Sequence, residues 1–369
     1  HVPTDIHESM AFRKTLWNAF TAAIATTTTT PTVQELQLAC SDGVKLAAQL
    51  WAPAKGIGGG STSVTPSRTI LCLHGWMDNC RSFYQLGPIL GSEYTVIALD
   101  FPGHGRSSHK SIDAPPMVQA DLAYYVAEAF HALRKEGLVQ NDKMTLMGHS
   151  LGAGVASLYA SSFPEHIDQL ILLDGAGFLA REAKDTPLHV RHHIQRRLVV
   201  QQQQASAKPA KGFPSLEAAI TRRLQSIQSF PGNQTLSYET AREIVLRATH
   251  LDDRDPSADT VFEKDSSSTT GIQFRHDRRF AWPSIQYMTQ DQIEGIFRGL
   301  VEVECCILLA EHGWPFRQEQ KDRAVQLIQP KQMQQLPGSH YFHADPETYP
   351  HVAQAIQQFL RSQGEETKE

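Results

Sequence analysis

The stretch Met144 to Gly154, MTLMGHSLGAG, constrains this chain more than any other. A short apolar run enters Gly148-His149-Ser150-Leu151-Gly152 and leaves into the small residues Ala153, Gly154, Val155 and Ala156. A serine that attacks a carbonyl has to stand on a sharp strand-to-helix turn. Its backbone is strained there, and the positions two residues either side must be nearly free of side chain. Gly148 and Gly152 meet that demand. The same turn puts the serine at a helix N-terminus, where the N–H of Leu151 can point at a developing oxyanion. Gly-x-Ser-x-Gly arises by chance in many chains, so the weight comes from the setting, a strand-like run before the motif and a helix-compatible run after it.

The flanking sequence supplies more strands and helices in alternation. Two extended runs between Thr32 and Pro53, separated by Ser41-Asp42-Gly43, predict a hairpin. Lys55 to Arg68 is rich in glycine and serine and reads as a loop. Thr69–Leu73 then reads as a buried strand ending in His74-Gly75-Trp76-Met77-Asp78-Asn79, where chain reversal offers a second half of an oxyanion hole. A helix over Arg81 to Leu90, a strand over Thr95 to Asp100, a loop Phe101 to Ser107 and an amphipathic helix over Met117 to Lys135 follow. After the elbow comes the strand Leu170 to Leu173, ending in Asp174 and Gly175. Such alternation predicts an α/β protein with a mostly parallel sheet covered on both faces.

The rhythm breaks from Ala176 to about Leu300, where helical pieces at Leu216 to Gln228 and Tyr238 to Thr249 are separated by polar loops at Gln201 to Lys211 and Asp265 to Gly271. It resumes with a strand at Cys305 to Ala310, a helix near Glu319 to Ile328, a strand at Gln332 to Leu336 and a last helix from Pro346 to Arg361. The expected organisation is an extension over 1–31, disordered or targeting-like, core residues 32–175, a helical cap over 176–300, core residues 301–362 and a disordered tail over 363–369.

A net charge near −5 with no basic stripe argues against a nucleic-acid partner. No apolar run reaches eighteen residues, so no integral membrane segment is expected. Five cysteines, two of them adjacent, suit a reducing compartment better than a disulfide framework. The expected location is cytoplasmic or peroxisomal, with mitochondrial targeting by Met10 to Thr30 the alternative. Nothing in the sequence reports the oligomeric state.

The ordered set of His74-Gly75 after a strand, Asp100-Phe101-Pro102-Gly103-His104-Gly105-Arg106-Ser107, the elbow at Ser150 and a late Gly338-Ser339-His340 resembles the α/β-hydrolase fold family across roughly Thr32 to Ser362. His74 to Asn79, Leu172-Leu173-Asp174-Gly175 and Phe274 to Phe280 look more narrowly like its serine hydrolase-like (kraken-type) branch. The resemblance implies an eight-stranded sheet with an inserted helical cap and a serine hydrolase acting on a small-molecule ester or related acyl compound, with no metal or organic cofactor. Thioesterase, lactonase and peripheral lipase activities, or a binding protein with vestigial chemistry, share the same residues. Serine rather than aspartate at the elbow argues against epoxide hydrolase and haloalkane dehalogenase chemistry.

Ser150 is the candidate nucleophile. His340 is the candidate base, and His343 shares its loop; the family's placement of the base directly after the last strand favours His340. The family usually carries its acid after the strand that follows the cap, where this chain has Trp314. Two carboxylates remain, Glu311 on that loop and Asp174 one strand earlier. Asp174 is favoured because an acid leaving an apolar strand is well held to orient an imidazole. The backbone N–H groups of Leu151 and Trp76 are the expected oxyanion donors. His149, Phe101 and Trp76 are the expected lining of the substrate pocket. Asp100 reads as structural before catalytic, and the cluster Arg275, Asp277, Arg278 and Arg279 either reaches a substrate carboxylate or holds the cap to the core, the second being favoured because charged clusters at domain seams usually form salt bridges.

Overall fold

The apolar runs pair into one eight-stranded sheet. A computed structural model describes residues 33–53, 68–111, 114, 115, 117–205, 212–253, 271–281, 284 and 287–362. The proposed extension over 1–31, most of the loop before Thr69, the serine/threonine run at 265–270 and the tail over 363–369 lie outside them. The strands are β1 (Gln34–Ala39), β2 (Lys45–Trp51), β3 (Thr69–Leu73), β4 (Thr95–Leu99), β5 (Met144–His149), β6 (Ile167–Leu173), β7 (Cys305–His312) and β8 (Gln332–Ser339). Their order across the sheet is β1-β2-β4-β3-β5-β6-β7-β8, with β2 antiparallel to both of its neighbours and every other pair parallel. The hairpin forms where the Asp-Gly turn predicts it. Gly43 takes φ +85°, and Cys40 donates to the Val44 carbonyl at 2.8 Å.

Successive residues of the central strands point to opposite faces. Leu71, Leu73 and Leu146 face one core layer; Ile70, Cys72 and Met147 face the other. Cys305 and Cys306 divide between the layers in the same way, which explains their adjacency without a disulfide, and both thiols are free. The helices flanking the sheet are α1 (Leu86–Leu90), α2 (Gln119–Lys135), α3 (Leu151–Ser162), α8 (Gln318–Ile328) and α9 (Tyr349–Arg361), and between β6 and β7 run α4 (Thr186–Ala205), α5 (Leu216–Gln228), α6 (Tyr238–Arg247) and α7 (Gln290–Arg298). Leu122, Val126, Val155 and Tyr159 of α2 and α3 bury against the first layer; Val352, Ile356 and Phe359 of α9 bury against the second. Each such side chain contributes roughly 1.5–3 kcal/mol on leaving water. Among the described residues, no helix is long and apolar enough to cross a membrane.

Two local expectations are corrected. Arg81 to Leu90 is not one helix but a 3-10 turn at Cys80–Phe83 followed by α1. The Asn79 side chain caps the first piece by accepting from the Arg81 N–H, and Pro88 gives the second no amide donor with which to extend. The glutamines Gln201–Gln204 are not loop either; they continue α4 to Ala205, in keeping with the good helix propensity of glutamine.

Candidate active site

The order of the strands reverses between β3 and β5, so the crevice at their carboxyl ends is where an open α/β sheet receives ligands. Ser150 stands there at φ 54°, ψ −116°, a conformation that costs a non-glycine residue on the order of 1–3 kcal/mol. Its N–H donates to the Leu173 carbonyl at 3.0 Å. A Cβ on Gly148 would stand 2.2 Å from the Gly152 carbonyl oxygen, and a Cβ on Gly152 would stand 2.2 Å from that of Leu73. Both glycines are therefore required by backbone approach. Leu151 opens α3, where an N–H has no intrahelical acceptor. Trp76 lies beyond β3 beside this turn, 42% exposed, with Phe280 packed edge-on against its ring at 5.4 Å.

Asp174 leaves β6 at φ 45° and is buried. Its carboxylate accepts from the Ala310 N–H at 3.1 Å, the Trp314 N–H at 2.8 Å and His340 Nδ1 at 2.5 Å. The position where the family pattern would put an acid thus supplies a backbone donor to the acid one strand earlier. Glu311 is exposed, and the imidazole pairs with Asp174. A Cβ on Gly313 would fall 2.2 Å from the Asp174 carboxylate, so that loop closes only over glycine. With Nδ1 committed to Asp174, Nε2 is the nitrogen of His340 left to take a proton.

The two neighbouring histidines are held differently. His149 Nε2 donates to the His340 carbonyl at 2.8 Å, and burial, then the nearby His343 and His340, push its pKa well below the ordinary histidine value. His343 lies against His149 with the rings tilted by 37° and 4.1 Å between centroids, and among the described residues neither of its ring nitrogens meets a partner. Burial pushes its pKa down to about 3. It is fully enclosed and does not reach the cavity that Ser150, His149 and His340 line.

That cavity has a volume of about 530 Å³, and Trp76, Phe178, Phe230, Phe280, Tyr287 and Phe316 give it an aromatic wall. Phe101 is not part of the wall, contrary to its expected role. It is fully buried in the core layer with residues of α2 and packed edge-on to His74 at 4.9 Å, because the chain beyond β4 and Asp100 turns its ring inward. Its N–H donates to His74 Nε2, while His74 Nδ1 lies 2.8 Å from the Gly75 carbonyl, so His74 braces the loop that carries Trp76.

Several polar residues of the site come from the segment between β6 and β7, where sequence reasoning assigned none. Gln234 Oε1 accepts from the His340 N–H at 2.8 Å and Gln234 Nε2 donates to the Gly313 carbonyl at 2.8 Å, fastening the histidine loop to the loop over Asp174. Arg223 donates to Asp78 at 2.6 Å, to the Tyr341 hydroxyl at 3.0 Å and to the Met77 carbonyl at 3.3 Å. It thereby ties α5 both to the Trp76 loop and to the residue after His340. A signal for Arg223 was present, since it falls in the buried stripe Ala219, Ile220, Arg223, Ile227 of α5. Gln234 lies in an irregular connection and has no such signal. Asp100 and Asp277 each meet an arginine. Arg247 of α6 donates to Asp100 at 2.8 Å, Asp277 donates its N–H to the Gly103 carbonyl at 2.9 Å, and Arg279 binds Asp277 and the carbonyls of Lys110, Ser111 and Ala114.

A mostly parallel eight-stranded sheet with a serine on a glycine-flanked turn after β5 defines an α/β-hydrolase fold. The profile of the alpha/beta hydrolase fold family matches residues 68–225. The serine hydrolase-like protein of Homo sapiens is 32% identical over 204 residues, 54% of this chain and 89% of that one. Serine hydrolase-like protein 2 of Homo sapiens is 29% identical over 346 residues, 89% of this chain and 94% of that one. The chain belongs to the α/β-hydrolase fold family, in its serine hydrolase-like branch. Among solved structures, a hypothetical protein of Pseudomonas aeruginosa PAO1 is 26% identical with a TM-score of 0.70, covering 89% of this chain and 99% of that one. The thioesterase domain from the curacin biosynthetic pathway, 20% identical with a TM-score of 0.62 over 88% of this chain and 99% of that one, shares the fold.

Proposed function

We propose that this chain is a serine hydrolase cleaving a carboxylic ester or a related acyl compound through an acyl-enzyme. The observation that carries the reading is the 2.5 Å approach of His340 Nδ1 to the buried Asp174 carboxylate at the edge of a cavity that Ser150 also lines. Asp174 fixes the imidazole tautomer and orientation and stabilises the imidazolium. The Ser150 hydroxyl oxygen bonds to the carbonyl carbon as its proton passes to His340 Nε2. Collapse of the tetrahedral intermediate breaks the bond to the leaving alcohol, which takes that proton. Water, deprotonated by the same nitrogen, then attacks the acyl carbon and releases the acid. The N–H groups of Leu151 and Trp76 are the proposed donors to the oxyanion, and loss of one such donor costs about a hundredfold to a thousandfold in turnover. Helices α4, α5 and α6 act as the cap, whereas α7 packs Ile293 and Phe297 into the core layer, and aromatic side chains from the segment between β6 and β7 and its neighbours make the wall that excludes water from the intermediate.

A fluorophosphonate probe tests the reading. Labelling of the wild-type chain, absent in Ser150→Ala, together with hydrolysis of an activated short ester is the expected result. An inert wild-type chain would instead make it a small-molecule binding protein on this fold.

A further inference from the structure

The described wall of the cavity carries one permanently cationic side chain, Arg181. The Asp174 carboxylate and the His340 imidazole, which also line it, face each other. The guanidinium carbon of Arg181 lies 5.3 Å from the centre of the Tyr287 ring, and Nη1 donates to the Ala180 carbonyl at 3.2 Å. Its backbone is pinned by a bond to the Met288 carbonyl at 2.9 Å. Among the described residues it has no carboxylate partner. Two other arginines close to the cavity are neutralised where they stand, Arg223 by Asp78 at 2.6 Å and Arg279 by Asp277 at 2.6 Å. The aromatic wall thus carries at its exposed side a guanidinium that lies over the Tyr287 ring and against the chain leaving β6.

We infer that the substrates of this site are acyl compounds whose apolar body carries a negative charge away from the reacting carbonyl, and that Arg181 meets that charge. The inference rests on the hydrolase reading above and names the substrate class of the same site. A guanidinium pairs bidentately with carboxylate and with phosphate, so both anions fit the same fork. Arg181 stands seven positions after Asp174, which limits the distance between their Cα atoms to about 25 Å. The Met288 bond fixes the backbone of Arg181 and the Tyr287 ring lies beside its guanidinium, so the charge stands on one side of the cavity and the site favours acyl compounds long enough to reach it.

The test compares a neutral p-nitrophenyl alkanoate with analogues of graded length bearing a terminal carboxylate or phosphate on the acyl chain, and with the corresponding esters that carry the charge on the leaving alcohol. The expected result is a lower KM for at least one anionic series, with an optimum length. In Arg181→Met the anionic-to-neutral ratio of kcat/KM should fall about tenfold, and in Arg181→Lys, which keeps the charge but not the fork, it should fall by an intermediate amount. Raising the salt to about 0.5 M should narrow the ratio in wild type and leave it unmoved in Arg181→Met. Neutral esters turned over as well as every anionic analogue, or a ratio that ignores the methionine substitution, would overturn the inference and leave the hydrolase reading standing. If wild type hydrolyses neither kind, the hydrolase reading fails and takes the inference with it.

Discussion

Two buried aspartates at the carboxyl ends of neighbouring parts of the same sheet are built almost alike, and they differ in one partner. Asp100 follows β4 and accepts from the Cys80 N–H at 2.8 Å, the Arg106 N–H at 2.9 Å and Arg247 Nε at 2.8 Å. Asp174 follows β6 and accepts from two backbone amides and His340. Each is closed over by a glycine whose Cβ would lie 2.2 Å from the carboxylate, Gly105 in one case and Gly313 in the other. The third donor sets what each can do. Arginine never releases its proton, so the Asp100 cluster, extended by Arg247 to Glu35 at 2.9 Å, is a fixed strut between the sheet and α6. An imidazole can both accept and donate a proton, so the Asp174 cluster can serve a reaction. Carboxylate burial alone does not mark a site of chemistry; the titratable partner facing a cavity does.

The largest expected effect comes from Asp174→Asn. The carboxamide keeps the shape but no longer holds the imidazole in its tautomer, so kcat should drop roughly 10⁴-fold while the thermal midpoint changes little. A drop below tenfold in ester turnover would remove the distinction between the two aspartates. Asp100→Asn should act in the opposite sense. It leaves the buried Arg247 short of counter-charge, and urea titration should register a loss on the order of 3 kcal/mol, with turnover per folded molecule retained. A catalytic defect without loss of stability would mean that Asp100 belongs to the reaction.

The contrast also marks what a reader of the sequence can and cannot find. The elbow was legible because its constraint is local: two glycines must admit the backbone oxygens of Gly152 and Leu73, and no other residue does so. The strands and most helices were legible because their periodicity is local too. His340 and Asp174 depended on the family's order of parts, since nothing in Gly338-Ser339-His340 shows that its imidazole meets a carboxylate 166 positions earlier. Gln234 and Arg223 were missed because their partners lie more than 70 residues away across a connection with no repeating pattern. Phe101 was placed in the pocket from its neighbourhood in sequence, but the backbone turn after β4 buries it.

The smallest effect separates the surroundings of the two aspartates through acid titration. His74, beside the Asp100 loop, is pushed down to about 4 by burial; His343, beside the Asp174 loop, is pushed down to about 3 by burial and then by the charge of His340. Both are neutral in the folded chain, whereas the unfolded chain takes up protons near 6.5. Below that pH the unfolded state therefore binds more protons, and stability falls with acidification until the folded values are reached. Each histidine contributes up to about 1.4 kcal/mol per pH unit to that slope. His74 is tied on both ring nitrogens to Phe101 and Gly75, so replacing it removes the proton linkage together with two hydrogen bonds. Among the described residues His343 has no hydrogen-bond partner to lose, and His343→Phe should flatten the slope between pH 6.5 and about 4 while leaving stability at pH 8 within about 1 kcal/mol of wild type. Ester turnover should change far less than in His340→Ala. A slope unaltered by His343→Phe would place the acid sensitivity elsewhere, and a collapse of turnover in that variant would transfer the role of base from His340 to its neighbour.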